Sequence, residues 1–192
     1  MVSLIDRRRL CAGAVAAAAL PAVATGAETK NSSANDWLPP KWRELGFPSR
    51  RWVNIVFVHT NERFKDFYCE AGEYIAPAVK RFSWTCRDYR RGEWEWLHPM
   101  LLDLLFVLHW KYNKDEIKIL SGYRTPETNA NIEGAALHSQ HTLAKALDIH
   151  LPNTDNTQVA RDFKTFIYGG VGMYPMNHFT HLDCGPLRNW VG

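Results

Sequence analysis

The chain has 192 residues, 46% of them hydrophobic and 22% charged, a balance that suits one packed domain and excludes a disordered chain. Its formal charge is +3, of which Arg7, Arg8 and Arg9 against Asp6 hold +2 within the first 27 residues, leaving +1 for the rest. No basic field remains for a nucleic acid.

Residues 1–27 join a basic cluster to a short Ala-rich run ending at Pro21 and small residues. This is the pattern of a secretory signal, and the run is too short for a membrane span, so no stable membrane anchor is expected after cleavage. The text DRRRL, with Arg7 and Arg8 as the pair and Leu10 beyond, resembles a twin-arginine export signal and points to the periplasm or cell envelope. Ala22-Val23-Ala24 and Thr25-Gly26-Ala27 both offer a cleavage site. Residues 28–50 are polar and Pro-rich and read as a lead-in, leaving 51–192 as the functional domain. Three cysteines follow the signal: Cys69, Cys86 and Cys184. Either Cys69 pairs with Cys86 and one thiol is left over, or all three are buried thiols.

RWVNIVFVHT reads as a strand with RFKDFYCEAGEY as its partner. Ile75, Val79, Phe82, Cys86 and Tyr89 recur on one helical stripe. A second helix starts near His98, with Met100, Leu101, Leu104, Leu105 and Leu108 as its buried face. EIKILSGYR is a short strand, and Thr125-Pro126-Glu127 is a helix start with a hydroxyl cap and proline at the first helical position. Ala146, Asp148 and His150 alternate with Leu147, Ile149 and Leu151, a strand after a loop. DNTQVARDFKTFIYGG is an amphipathic helix facing inward through Val159, Phe163 and Ile167 and closed by Gly169-Gly170. The last segment reads as two strands around Pro175 and an aromatic anchor. Helices and antiparallel-looking strands mix without regular alternation, so the fold class is α+β, a small antiparallel sheet with flanking helices.

Six of the eight histidines follow residue 100, and two segments pair them with acids: His141 with Asp148, and HFTHLD with His178, His181 and Asp183. Catalytic zinc takes three protein ligands from His and carboxylate and keeps a fourth position open. His141, Asp148 and His181 would make such a set, and the ion would bring its water toward a neutral pKa. Spacing alone favours a plainer reading, in which Asp148 and His150 are solvated strand residues and His181 is a hydrogen-bonded core histidine.

Three stretches in order change that weight: SGYRTPETN from Ser121, SQHTLAKALDI from Ser139 and GGVGMYPMNHFTHLDCGPLRNW from Gly169. Together they resemble the YcbK-like murein endopeptidases, within the wider LAS group of zinc peptidases that includes D-Ala-D-Ala carboxypeptidases. The resemblance runs from Trp52 to Trp190. It implies the LAS-type fold, one Zn2+ per chain on His141, Asp148 and His181, and hydrolysis of peptidoglycan stem-peptide crosslinks. It also places Arg124, after Ser-Gly-Tyr, as a substrate or oxyanion contact. Two positions depart from the pattern. The motif glycine is Ala144, and the carboxylate often found three residues before the third ligand is His178. His178 is therefore expected as the proton-transfer group, with Asp183 supporting His181. His138, His150 and Cys184 are expected to stay outside the chemistry. The alternatives are a D,D-carboxypeptidase of the same fold and a non-catalytic module that grips stem peptides. The oligomeric state and the crosslink cut, D,D or L,D, stay open.

Overall fold

The computed structural model describes residues 46–166 and 169–192. The signal, residues 28–45 and Ile167 lie outside the described residues. Eight strands, β1 (Arg51–Phe57), β2 (Glu62–Glu70), β3 (Glu73–Tyr74), β4 (Ile117–Ser121), β5 (Ala146–His150), β6 (Gly170–Tyr174), β7 (Phe179–Asp183) and β8 (Arg188–Val191), form one sheet ordered β3-β2-β1-β4-β5-β7-β6-β8. Among the described residues four helices accompany it: α1 (Ala76–Thr85), α2 (Met100–Tyr112), α3 (Pro126–Ala130) and α4 (Asn156–Phe166).

The mixed α and β content follows the expectation, but the sheet is neither small nor antiparallel throughout. β1 pairs parallel with β4, and β6 parallel with β8. The physical reason is connectivity. Parallel neighbours need a long crossover, and the chain between β1 and β4 includes both α1 and α2. The two outer strands escape sequence reading because β3 has two residues and β8 has four, none fully buried.

Most elements stand where the pattern put them. β1 and β2 pair antiparallel along their length. Helix α1 ends at Thr85, so Cys86 caps it and Tyr89 lies beyond, stacked on His59. Helix α2 is buried on every side from Met100 to His109 rather than along one face, as expected of a helix enclosed by the core. It stops at Asn113, whose φ of 49° is left-handed. Thr125 caps α3 by accepting from the Thr128 amide at 3.1 Å, and Val159 and Phe163 of α4 are fully buried. Leu147, Ile149, Leu182 and Val171 join the same core cluster as α1 and α2. Because strand side chains alternate, the residues between them face the opposite side, and this is where the site lies. Cys69, Cys86 and Cys184 are all free thiols, which removes the Cys69–Cys86 pairing.

A buried ion pair ties the sheet to α2. Arg51 and Asp103 are 0% and 1% exposed, with Arg51 Nε 3.2 Å from Asp103 Oδ1. Tyr68 donates to the same oxygen at 2.8 Å, and Tyr74 donates to the other. Removing one partner of a buried pair strands the other charge and costs about 3–5 kcal/mol. Asp103→Ala should therefore lower the melting temperature by roughly 10 °C. A shift of only a degree or two in a thermal melt would show the cluster to be energetically idle.

Candidate metal centre

Strand pairing builds the centre. In the β5–β7 ladder Asp148 sits directly opposite His181. The same row continues outward, from Ser121 on β4 through Asp148 and His181 to Gly172 on β6 and Trp190 on β8. Directly opposed residues keep their Cβ atoms about 4.5–5.5 Å apart, so a carboxylate and an imidazole meet without any special loop. His141 comes from the preceding loop. Its backbone carbonyl accepts from the amides of Arg124 and Ala144, each at 3.2 Å, and Ala144 in turn accepts from the His98 amide at 2.9 Å. Ala144 closes this turn with φ 55°, the left-handed region where the relatives' glycine was expected, and it is 1% exposed.

His141 Nε2, Asp148 Oδ1 and His181 Nδ1 form a triangle with edges of 2.9, 3.2 and 3.3 Å. Tetrahedral zinc with nitrogen and oxygen ligands at 2.0–2.2 Å would give edges of about 3.3–3.6 Å, within a few tenths of those found. The outer atoms fix which nitrogens face inward. His141 Nδ1 lies 2.7 Å from the Gly122 carbonyl, which can only accept, so the proton is on Nδ1 and Nε2 offers a lone pair. His181 Nε2 lies 2.8 Å from Asp183 Oδ2, so in the neutral ring the proton sits there and the inward Nδ1 is a lone pair. With both rings neutral, three acceptors converge with no hydrogen between them, an arrangement that a cation stabilises. All three residues are buried.

The electrostatics agree. Burial lowers His141 below the ordinary histidine value, favouring the neutral ring that a metal requires. Burial alone would raise the Asp148 carboxyl, yet His141 and His181 hold it well below the usual range. Burial also works against the His181 imidazolium, but hydrogen bonds to Asp148 and Asp183 outweigh it and raise this ring. With a cation in the triangle, that same anionic company favours the metal instead of the proton.

Around the triangle stand the residues that hold it. Arg124 NH2 reaches Asp148 Oδ2 at 2.5 Å, while its Nε bonds Ser121 Oγ at 2.7 Å. Arg124 therefore orients Asp148 first, and it also lines the cavity. Asp183 is gripped by Arg188, NH2 to Oδ2 at 2.7 Å and NH1 to Oδ1 at 3.1 Å. It also accepts from the amides of Gly170 and Gly185. Burial would raise Asp183, but His181 and Arg188 keep it far down.

Sequence reading missed Arg188 and undervalued Trp190, whose ring centre lies 5.1 Å from that of His181. The signal was the alternation of Gly170 and Gly172 on β6. A Cβ at Gly170 would collide with Asp183 and come within 2.6 Å of Arg188 NH1; one at Gly172 would meet the Trp190 indole at 2.6 Å.

His178, expected as the proton-transfer group, lies away from the triangle. It is exposed on the β6–β7 turn with φ 54°, and it does not line the cavity. Its carbonyl lies 2.8 Å from His150 Nδ1, which accounts for His150 away from the centre. Three residues is an odd step, and odd steps along extended chain face opposite sides, whereas the two-residue step to Asp183 returns to the ligand face. His138, expected to be idle, does line the cavity, as does Glu133. Cys184 is half-buried and takes no part in the donor triangle.

If Asp183 fixes the His181 tautomer, Asp183→Asn should weaken divalent-metal binding about 10- to 100-fold in a chelator competition; an unchanged affinity would remove that role. Ala144 faces opposing effects of similar size. Left-handed backbone costs alanine about 1 kcal/mol, and its buried methyl returns about 0.8 kcal/mol. Ala144→Gly should thus change stability by less than about 1 kcal/mol, whereas Ala144→Val should cost about 2 kcal/mol or more. Denaturant titration of both variants measures the difference.

Comparison with known proteins agrees with this geometry. The family described as "Peptidoglycan L,D-endopeptidase MepK" matches residues 47–190. A protein of that name from Escherichia coli strain K12 is 31% identical over 156 residues, covering 79% of this chain and 86% of the relative. The "Probable peptidoglycan L,D-endopeptidase MepK" of Haemophilus influenzae is 28% identical over 151 residues, covering 76% and 81%. No solved structure matches. With the strand-paired His-Asp-His triangle in place and three quarters of its length matched, the chain belongs to the MepK family.

Proposed function

We propose that this protein is a zinc-dependent peptidoglycan endopeptidase that hydrolyses the L,D bonds of stem-peptide crosslinks. The observation that carries the chemistry is the donor triangle with both imidazole tautomers fixed from outside. The bond class follows the names of the relatives. His141, Asp148 and His181 would hold the ion. Zinc bound there supplies Lewis acidity, which polarises a peptide carbonyl and makes an attacking water more acidic.

The protein's own residues do the rest. Arg124 fixes Asp148 through one terminal nitrogen and presents its remaining edge to the cavity, where it can hold a carbonyl oxygen as charge develops. The cavity, about 810 Å3, is large enough for a branched peptide rather than a single side chain. Trp190 and Tyr174 form one wall, joined by the indole N–H donating to the phenol at 2.9 Å. Tyr174 is itself stacked on Phe179. Glu133 and His138 bring acid–base groups to the opposite loop, where a proton can pass to a leaving amine. The leader of residues 1–27 would export the protein to the envelope by the twin-arginine route, with 51–192 as the working domain.

The test uses purified crosslinked muropeptides. Zinc-loaded protein should split dimers joined by L,D crosslinks and leave monomeric pentapeptides intact, read as product masses. Arg124→Ala should cost about 100-fold in kcat, while His178→Ala should stay within about threefold of the parent. Trimming of pentapeptides would favour the carboxypeptidase reading. Binding without turnover by the metal-loaded protein would favour a non-catalytic module.

A further inference from the structure

A second concave surface lies apart from the metal cavity and shares no lining residue with it. It is a groove of about 600 Å3 between β2 and the C-terminal half of α1. Its walls are cationic and aromatic: Arg63 and Lys65 from β2, Lys80, Arg81 and Trp84 from α1, and Trp94 from the following loop. Trp84 is 46% exposed. Trp96, 49% exposed, continues the aromatic surface with its ring centre 5.8 Å from that of Trp94. Two of the cations are matched, Arg63 by Glu116 and Arg81 by Asp66. Lys65 and Lys80 form no ion pair among the described residues, and Lys80 Nζ stands 5.9 Å from the Trp94 ring centre. Arg87 covers part of Trp84 at 4.5 Å, leaving the remaining indole surface to the groove.

Two half-exposed indoles side by side leave clustered apolar surface in water, with hydrated lysine charges at its edge. Clustered exposed aromatics mark binding surfaces, and tryptophan is the side chain that best joins a large apolar face to a polar edge. The nearby charges say what kind of ligand fits. Flat rings invite the apolar faces of sugars, and the spare lysines invite carboxylates. We propose that this groove binds the peptidoglycan polymer itself, as a glycan strand bearing acidic stem peptides, and so anchors the enzyme on its insoluble substrate. This rests on the reading that the protein works on peptidoglycan. The occupant is an anionic, ring-bearing strand, and a neutral or cationic polymer lacks the matching charge.

Co-sedimentation with purified sacculi tests the anchor without requiring catalysis. The parent protein should pellet with sacculi at low salt and be released as salt rises, since exposed charge pairing is screened over about 8 Å at physiological ionic strength. Trp84→Ala, and separately Lys65→Glu with Lys80→Glu, should weaken sacculus binding at least about fivefold. Both variants should cleave soluble crosslinked dimers at the parent rate, which also verifies that they fold. Sacculi whose free carboxylates have been converted to neutral amides should bind the parent and the lysine variant alike, because the negative charges are gone. Undiminished pelleting by both variants overturns the proposal, as does equal loss of soluble cleavage. If the parent pellets but cuts no dimer, the catalytic reading fails while the anchor stands.

Discussion

The centre depends on the register of one strand pair. Asp148 and His181 meet because β5 and β7 align them face to face. A slip of one residue would exchange ligand and core faces on a strand, sending Asp148 inward and Leu147 or Ile149 to the cavity. The core guards against this. Leu147, Ile149 and Leu182 are no more than 1% exposed and pack in the same cluster as α4's Val159 and Phe163. The hydrophobic effect that buries one face therefore also places the donor atoms of the other. The helices never touch the chemistry directly, yet they set it.

Register alone would leave the donors free to turn, and the outer layer prevents this. Each inward nitrogen is defined by what its ring does on the far side: a backbone carbonyl for His141 and a carboxylate for His181. Asp148 is held by Arg124 and Asp183 by Arg188, so the anionic groups beside the triangle each carry a guanidinium partner. This lowers the cost of gathering carboxylates in a buried place. It also explains the two bare positions on β6. Gly170 and Gly172 carry no side chain because Arg188 and Trp190 of the neighbouring strand occupy that space. The parallel β6–β8 pairing is what delivers them.

Much of this was legible in the chain, for identifiable reasons. Alternation around Asp148 marked a strand with one polar face, and motif order singled out His141 and His181 over His150. The even spacing of His181 and Asp183 correctly placed both on one face. His178 stands away from the triangle because an odd spacing on extended chain separates side chains, and a left-handed turn residue adds a further rotation. Arg188 was illegible because its function arises from a parallel pairing across β6, and no local pattern announces a four-residue edge strand. The large mixed sheet was missed for the same reason, since parallel neighbours are joined by long segments whose path leaves no periodic trace.

Ala144 shows how local strain and metal geometry are linked. The loop must climb from His141 to the start of β5 within four residues, and a left-handed residue is the shortest means of reversing it. Glycine would do this without strain but would leave the underside of the loop empty. Alanine accepts the strain and places its methyl among buried neighbours. The carbonyl of the same residue receives the His98 amide, just ahead of α2. The turn is thus tied at both ends, to His141 through its amide and to the helical layer through its carbonyl. His141 is the one member of the triangle that no strand positions. Its place is set by this tie and by the Gly122 carbonyl, so rigidity in a loop substitutes for the ladder that fixes the other two.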